Sequence, residues 1–258
     1  MAEHGIAFVL VVLAWWASTG AILLLCALPK PTFGWTMTAA SLVLVAALFG
    51  LVMSARNPGL VGVYLGFFSA LAIWGWIEMS FLMGYVTGPR KTPCPADATG
   101  WRRFGLAVQA LLYHDLSIVA AAIAVVVLTW KAPNQTGTYA FLILAAMRIS
   151  AQLNIFLGVP NLTEEFLPER LAYLKSYFRK NEFSALFPVS VAGASFMAIV
   201  LAQRALGAVG AEAIGIALLF TLLALAILEH IFMIVPLPDA ILWRWALRSQ
   251  KTFDKSAR

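Results

Sequence analysis

IAFVLVVLAWWASTGAILLLCAL, residues 6–28, is a run of 23 residues without a single charged side chain. At 1.5 Å per residue, a helix over this run is long enough to cross the roughly 30 Å of hydrocarbon in a bilayer. The apolar residues do not alternate with polar ones, as they do in the strands of a membrane barrel. The run is also much longer than the apolar core of a signal peptide. It therefore predicts an uncleaved membrane-spanning helix.

Six further apolar runs follow, and together they predict an all-α integral membrane protein with about seven transmembrane helices. The chain has 258 residues, of which 62% are hydrophobic and 12% are charged. An ordinary soluble domain has about 45–50% and 25%. We expect a single polytopic membrane domain over residues 1–258. The predicted spans are 6–28, 36–54, 59–86, 104–130, 135–158, 186–206 and 211–237.

The basic residues are divided unequally between the two sets of loops. One side holds three of them, Arg56, Lys131 and Arg204. The other side holds fourteen, at Lys30, Arg90, Lys91, Arg102, Arg103, Arg170, Lys175, Arg179, Lys180, Arg244, Arg248, Lys251, Lys255 and Arg258. By the positive-inside rule, the side with fourteen faces the cytoplasm. This predicts a bacterial inner-membrane protein with a periplasmic N-terminus and a cytoplasmic C-terminus, and the net charge of +6 implies no nucleic-acid partner.

Two stretches outside the spans are predicted to form short cytoplasmic interfacial helices. Residues 161–180 place apolar side chains at helical spacing, with most of the charges elsewhere on the helix. Residues 238–250 place Trp243 and Trp245 among arginines, which is typical of an anchor at the membrane surface.

Ionisable residues inside a membrane span are costly, so they are functional candidates by default. Helix rise places those of this chain at one depth, about 10–15 Å inside the cytoplasmic boundary. They are Glu78, His114, Asp115, Arg148, Glu229 and His230, and the polar residues Gln152, Asn154, Asn161, Glu164 and Glu165 continue the set toward the cytoplasm. The pattern predicts a polar chamber that opens to the cytoplasm and is lined by these candidate ligand-binding residues.

Three uses of this chamber are open at the level of sequence. The groups could pair with one another, with Arg148 neutralised by an acid at Glu78, Asp115 or Glu229. They could instead contact a ligand such as a tetrapyrrole pigment. The third use is a metal site, because four carboxylates and two histidines are the ligand count of carboxylate-bridged di-iron bundles. The candidate metal ligands are Glu78, His114, Asp115, Glu164, Glu229 and His230.

The spacing argues against a literal di-iron site. Ligands in those bundles come as Glu-x-x-His, which puts both side chains on one helix face. Adjacent residues such as His114 and Asp115 point about 100° apart instead. Asn161 and Glu164 also have the spacing of a helix-capping box, which would engage that carboxylate.

Longer strings carry a resemblance to a known family. They are WWASTG at 15–20, WGWIEMSF at 74–81, GPRKTPCP at 88–95, GWRRF at 100–104, LYHDL at 112–116 and MRISAQLNIFLGVPNLTEEFLP at 147–168. With these strings the chain resembles the PuhE family, the photosynthetic complex assembly proteins of purple bacteria, whose genes accompany the reaction-centre H subunit. The resemblance runs from residue 15 to about residue 190.

The resemblance implies a role in bacteriochlorophyll supply or in assembly of the reaction centre with its core antenna. The partners it implies are reaction-centre or antenna subunits and bacteriochlorophyll, and it implies no known reaction. Family members often have histidine before the acid at Glu78, where this chain has Ile77. That difference weakens the alternative function, a di-iron-like membrane enzyme that uses iron to act on a hydrophobic or tetrapyrrole substrate.

Overall fold

The computed structural model describes residues 2–162, 166–181, 184–235, 242–243 and 245–246, with side chains from residue 5 onward. In this part of the chain, seven helices are long and apolar enough to cross a membrane, which confirms the predicted fold class. They are α1 (Ala2–Ala27), α2 (Phe33–Ala55), α3 (Leu60–Leu82), α4 (Gly100–Leu128), α5 (Thr136–Leu157), α6 (Leu186–Gly207) and α7 (Gly210–Phe232).

The odd-numbered helices all run in one direction, and the even-numbered helices return between them. Short turns at 56–59, 129–135 and 208–209 lie at one end of the bundle, which we call the short-turn end. The connections at 28–32, 83–99 and 158–185, of which the last two are the longest in the chain, lie at the other end, which we call the loop end. Helices α3 and α7 are the most enclosed. The core around them includes the fully buried side chains of Phe67, Phe141 and Leu218.

Glycines bring α2, α3 and α5 into close contact near the short-turn end. A Cβ atom on Gly137 of α5 would lie 2.6 Å from the backbone oxygen of Gly66 on α3. A Cβ atom on Gly66 would lie 2.9 Å from Ser54 Oγ on α2. Such contacts between small residues are a main source of helix association in membranes, where the hydrophobic effect does not drive helices together.

The end of α3 illustrates how local backbone chemistry sets a helix boundary. The sequence predicts a span that continues to residue 86, because the apolar run does not stop earlier. The helix ends at Leu82 because Gly84 adopts a positive φ of 83°. The amide of Gly84 then donates to Phe81 O at 2.8 Å, and the amide of Tyr85 donates to Ser80 O at 2.9 Å. These two bonds form a Schellman cap, which satisfies carbonyls at the end of the helix.

The segment predicted as an interfacial helix over 161–180 is instead built around a 3₁₀ helix, Glu169–Tyr177. Three residues per turn bring Leu171, Leu174 and Tyr177 onto one face. All three are buried, and they pack with Phe81 of α3 and Ala110 of α4. The apolar face formed by these three residues therefore covers α3 and α4.

Only four residues of the predicted helix 238–250 belong to the described chain, and they pack along α1. The indole nitrogen of Trp243 donates to Trp16 O, and that of Trp16 donates to Leu242 O, both at 2.9 Å. Trp16 lies eleven residues before the end of α1, roughly 16 Å along the helix. These residues therefore contact α1 well inside the span.

We expect Gly137→Ala to destabilise the bundle by about 1–3 kcal/mol, because its methyl group would meet the backbone of α3. Gly193→Ala in α6 is the matched control, since a Cβ atom there meets nothing within 4 Å. The control should be neutral or slightly stabilising, as expected for glycine-to-alanine in a helix. The thermal denaturation midpoints of the purified variants in detergent test this. Equal midpoints would show that the α3–α5 contact contributes nothing.

Candidate functional site

Helices α3, α4 and α5 bring Glu78, His114 and Arg148 together at membrane depth. Arg148 Nε lies 3.2 Å from Glu78 Oε1, and His114 Nε2 lies 3.9 Å from the same oxygen. The His114 side chain is fully buried, whereas those of Glu78 and Arg148 are 17% and 29% exposed. We call these three residues the acid–arginine–histidine group. The sequence left Glu78, Asp115 and Glu229 open as partners of Arg148, and of these three acids Glu78 lies within ion-pair distance.

Phe81 forms a platform beneath this group. It lies one helical turn after Glu78 on α3, so both side chains project from the same face. The Phe81 ring centroid is 4.3 Å from that of His114, with a tilt of 31° between the planes. The central guanidinium carbon of Arg148 lies 5.8 Å from the Phe81 centroid. The aromatic ring thus contacts both the histidine and the arginine.

A loop fixes the stretch of α4 that carries His114. The amide of His114 donates to Thr87 O at 2.9 Å, and a Cβ atom on Gly88 would lie 2.1 Å from Gln109 O. Only glycine allows the loop to approach the α4 backbone this closely. Neither ring nitrogen of His114 makes a hydrogen bond to the described residues. His114 is thus rigidly held, with its hydrogen-bonding atoms directed at no protein partner in that part of the chain.

A second polar contact joins α4 to the same face of α5. Gln152 follows Arg148 by one turn, and its side-chain amide donates to Asp115 Oδ2 at 3.0 Å. Asp115 Oδ1 and Gln152 Oε1 are buried and make no hydrogen bond within the described residues. Arg148 and Gln152 therefore form a polar stripe that faces α3 and α4.

The opposite face of α5 carries a different polar group, which contacts α6 and α7. His230 Nδ1 lies 2.9 Å from Ala226 O, and because a carbonyl only accepts, this nitrogen carries the proton. His230 Nε2 is then the acceptor for Ser150 Oγ at 3.0 Å. One turn later, the Asn154 amide donates to Ser150 O at 2.9 Å and to Ser190 Oγ at 3.1 Å.

The candidate residues therefore divide between two sides of α5, where the sequence predicted one chamber. Residues 148 and 150 differ by two positions, which is about 200° around a helix. Glu229 lies elsewhere again, because it accepts a 2.7 Å hydrogen bond from Trp15 Nε1 of α1. Asn161, in the connection after α5, packs against the end of α7, where its backbone amide donates to Met233 O at 3.0 Å. Glu164 and Glu165 lie outside the described residues.

Sequence reasoning did not single out Ser150, Ser190 or Trp15, although each completes a contact of a candidate residue. The available signal was the i,i+4 spacing of Ser150 and Asn154, which puts them on one face. Nothing in the sequence pairs Trp15 with Glu229, since they are 214 positions apart.

The geometry gives no support to a metal site in the described chain. No three His, Cys, Asp or Glu side chains among the described residues are close enough to share a metal ion. Glu78 and His114 approach each other, but Asp115 and His230 bond to opposite faces of α5 and Glu229 bonds to α1. The di-iron-like alternative therefore lacks an assembled ligand set in this part of the molecule.

Comparison with known proteins assigns the chain to a family. A family model described as "Protein of unknown function (DUF3623)" matches residues 1–254. The chain belongs to this family.

Among relatives of this DUF3623 protein is the "Uncharacterized 30.4 kDa protein in puhA 5'region" of Rhodobacter capsulatus. The two are 38% identical over 254 residues, which cover 92% of this chain and 89% of that protein. No solved structure matches.

We expect Arg148→Leu to lower the free energy of unfolding by about 2–4 kcal/mol, because Glu78 would remain at membrane depth without its counter-charge. Adding Glu78→Gln removes that charge and should restore more than half of the loss. The denaturation midpoint in detergent measures both effects, and Arg204→Leu, an exposed position on α6, is the control. A single variant as stable as the parent would show that the 3.2 Å pair is not stabilising.

Proposed function

We propose that this protein is an inner-membrane factor that modulates bacteriochlorophyll supply or assembly of the photosynthetic reaction centre with its core antenna. The observation that carries the proposal is the Rhodobacter capsulatus relative, whose name places it in the 5′ region of puhA. Its similarity extends over nearly the whole of both chains. The PuhE resemblance of the sequence points to the same process.

The geometry favours a factor that acts as a binding or scaffolding protein. Most of its intramembrane polar residues bond to a neighbouring helix, as in the contacts Gln152–Asp115, Ser150–His230 and Trp15–Glu229. Such contacts fix the helices relative to one another. Within the described residues, the acid–arginine–histidine group is one of the parts of the core with buried polar atoms that make no hydrogen bond, and we place a ligand contact of the core there.

The proposal also includes an orientation, with the loop end in the cytoplasm. Exposed indoles at both ends, Trp35 and Trp101 at the loop end and Trp130 at the short-turn end, are positioned as aromatic belts. Among the described residues, nine basic side chains lie at the loop end and three at the short-turn end, which is the asymmetry expected when the loop end is cytoplasmic.

Reporter fusions test this orientation. A reporter joined after Arg258 should have cytoplasmic activity, and one inserted near Gln135 should have periplasmic activity. As controls, a reporter that is active only in the periplasm, such as alkaline phosphatase, should be inactive after Arg258. A reporter that is active only in the cytoplasm should be inactive near Gln135. The reverse pattern would place the loop end outside and would contradict the proposed localisation.

Deletion of the gene in a purple phototroph that carries it tests the function. We expect lower near-infrared absorbance from reaction centres and core antenna under phototrophic conditions, with normal growth by respiration. The parent gene and Arg204→Leu should restore the absorbance, whereas Arg148→Leu should restore less, because the bundle is weakened. Normal amounts of both complexes in the deletion strain would refute the proposal.

A further inference from the structure

A cavity of about 260 Å³ lies at the loop end, outside the acid–arginine–histidine group. It lies where the 28–32 and 83–99 connections meet the 3₁₀ helix. Among the described residues that line it, three are basic, Lys30, Lys91 and Arg170, and none is acidic. A concave site with charge of one sign concentrates the opposite charge from solution. The described lining of the cavity therefore favours anions.

Two buried hydroxyl groups in this cavity point to a ligand. Thr87 is 1% exposed, and its hydroxyl makes no hydrogen bond to the described residues. The hydroxyl of Tyr173 is also buried without such a bond. The two lie beside each other but not in hydrogen-bond geometry. Burial raises the pKa of the Tyr173 phenol, so it remains a proton donor at neutral pH. Buried hydroxyls are normally hydrogen-bonded, and an anion here would accept from both.

The arginine of the cavity is held firmly in place. One terminal nitrogen of Arg170 donates to Cys26 O at 2.6 Å, at the end of α1. The guanidinium carbon lies 4.5 Å from the centroid of the Phe33 ring. The stem of the side chain passes Gly84, where a Cβ atom would lie 3.6 Å from Arg170 Cδ. A cation fixed in this way loses little freedom when it binds an anion.

The position and size of the cavity indicate the class of anion. It lies at the ends of membrane-spanning helices, the level at which lipid headgroups are found. Basic pockets at this level are typical binding sites for anionic headgroups. At about 260 Å³ the cavity is smaller than the 300–1,000 Å³ of sites for drug-sized ligands, so it suits a headgroup and excludes a tetrapyrrole ring.

We propose that this cavity binds a phosphate group, carried either by the headgroup of an anionic lipid such as phosphatidylglycerol or by free inorganic phosphate. Lys30, Lys91 and Arg170 supply the positive charge, and Thr87 and Tyr173 donate hydrogen bonds to the phosphate oxygens. This site does not depend on the proposed role in photosynthesis.

The test uses the purified full-length protein in a neutral detergent. Three probes are titrated at constant ionic strength: phosphatidylglycerol, phosphatidylcholine with the same acyl chains, and sodium phosphate. The rise in the denaturation midpoint and the apparent Kd from native mass spectrometry are measured for each probe. We expect phosphatidylglycerol or phosphate to bind, and phosphatidylcholine to have a much smaller effect.

Matched variants separate this site from general surface charge. Lys30→Gln with Lys91→Gln should weaken binding by roughly tenfold or more, because two of the three cations are lost. Arg56→Gln with Arg204→Gln removes the same charge at the short-turn end and should leave binding unchanged. Thr87→Val keeps the side-chain shape and should weaken binding several-fold through the lost donor.

Two outcomes would overturn the proposal. One is that neither phosphatidylglycerol nor phosphate stabilises the protein more than phosphatidylcholine or chloride. The other is an equal loss of affinity in the lysine pair and its control, which would indicate diffuse surface attraction. Binding of phosphatidylglycerol alone identifies a lipid site, and binding of both probes with the same variant dependence identifies a phosphate site. Both of these results support the proposal.

Discussion

The close approach of α3 and α5 is the constraint on which the rest of the bundle depends. The two helices run in the same direction and touch backbone to backbone at Gly66 and Gly137. Glu78 lies twelve residues beyond the first glycine, and Arg148 lies eleven residues beyond the second, which is roughly 18 Å and 16 Å along the helices. The glycine contact therefore sets the register in which the ion pair forms. Two contacts so far apart fix both the separation and the relative direction of the helices.

Several arginines at the loop end make structural hydrogen bonds. Arg103 donates to Tyr177 O at 2.6 Å, and Arg90 donates to the Tyr177 hydroxyl at the same distance. Arg170 bonds in a similar way to the end of α1. Carbonyls near the ends of membrane helices require partners, and arginine can provide several donors in a fixed geometry. These arginines therefore hold the 83–99 connection and the 3₁₀ helix against the membrane-spanning helices.

The number and type of helices were predictable from sequence because the bilayer requires long apolar runs, and the depth of each polar residue follows from the helix rise. The direction of each side chain around its helix was not predictable, because it depends on which helices are neighbours. Arg148 and Asn154 thus belonged to one predicted chamber, although Arg148 faces α3 and Asn154 faces α6. The end of α3 was missed for a different reason. Hydropathy does not detect a Schellman cap, whereas Gly84 after an apolar helix is a local signal for one.

The two intramembrane histidines show how packing and function can be separated in this core. His230 has both ring nitrogens engaged, so its hydrogen bonds account for its presence between α5 and α7. His114 is equally buried, but neither of its ring nitrogens makes a hydrogen bond within the described chain. A buried polar group in that state costs about 1–3 kcal/mol, and an apolar side chain of similar size would avoid this cost. Packing alone therefore explains His230 but not His114, whose two ring nitrogens have no hydrogen-bond partner within the described chain.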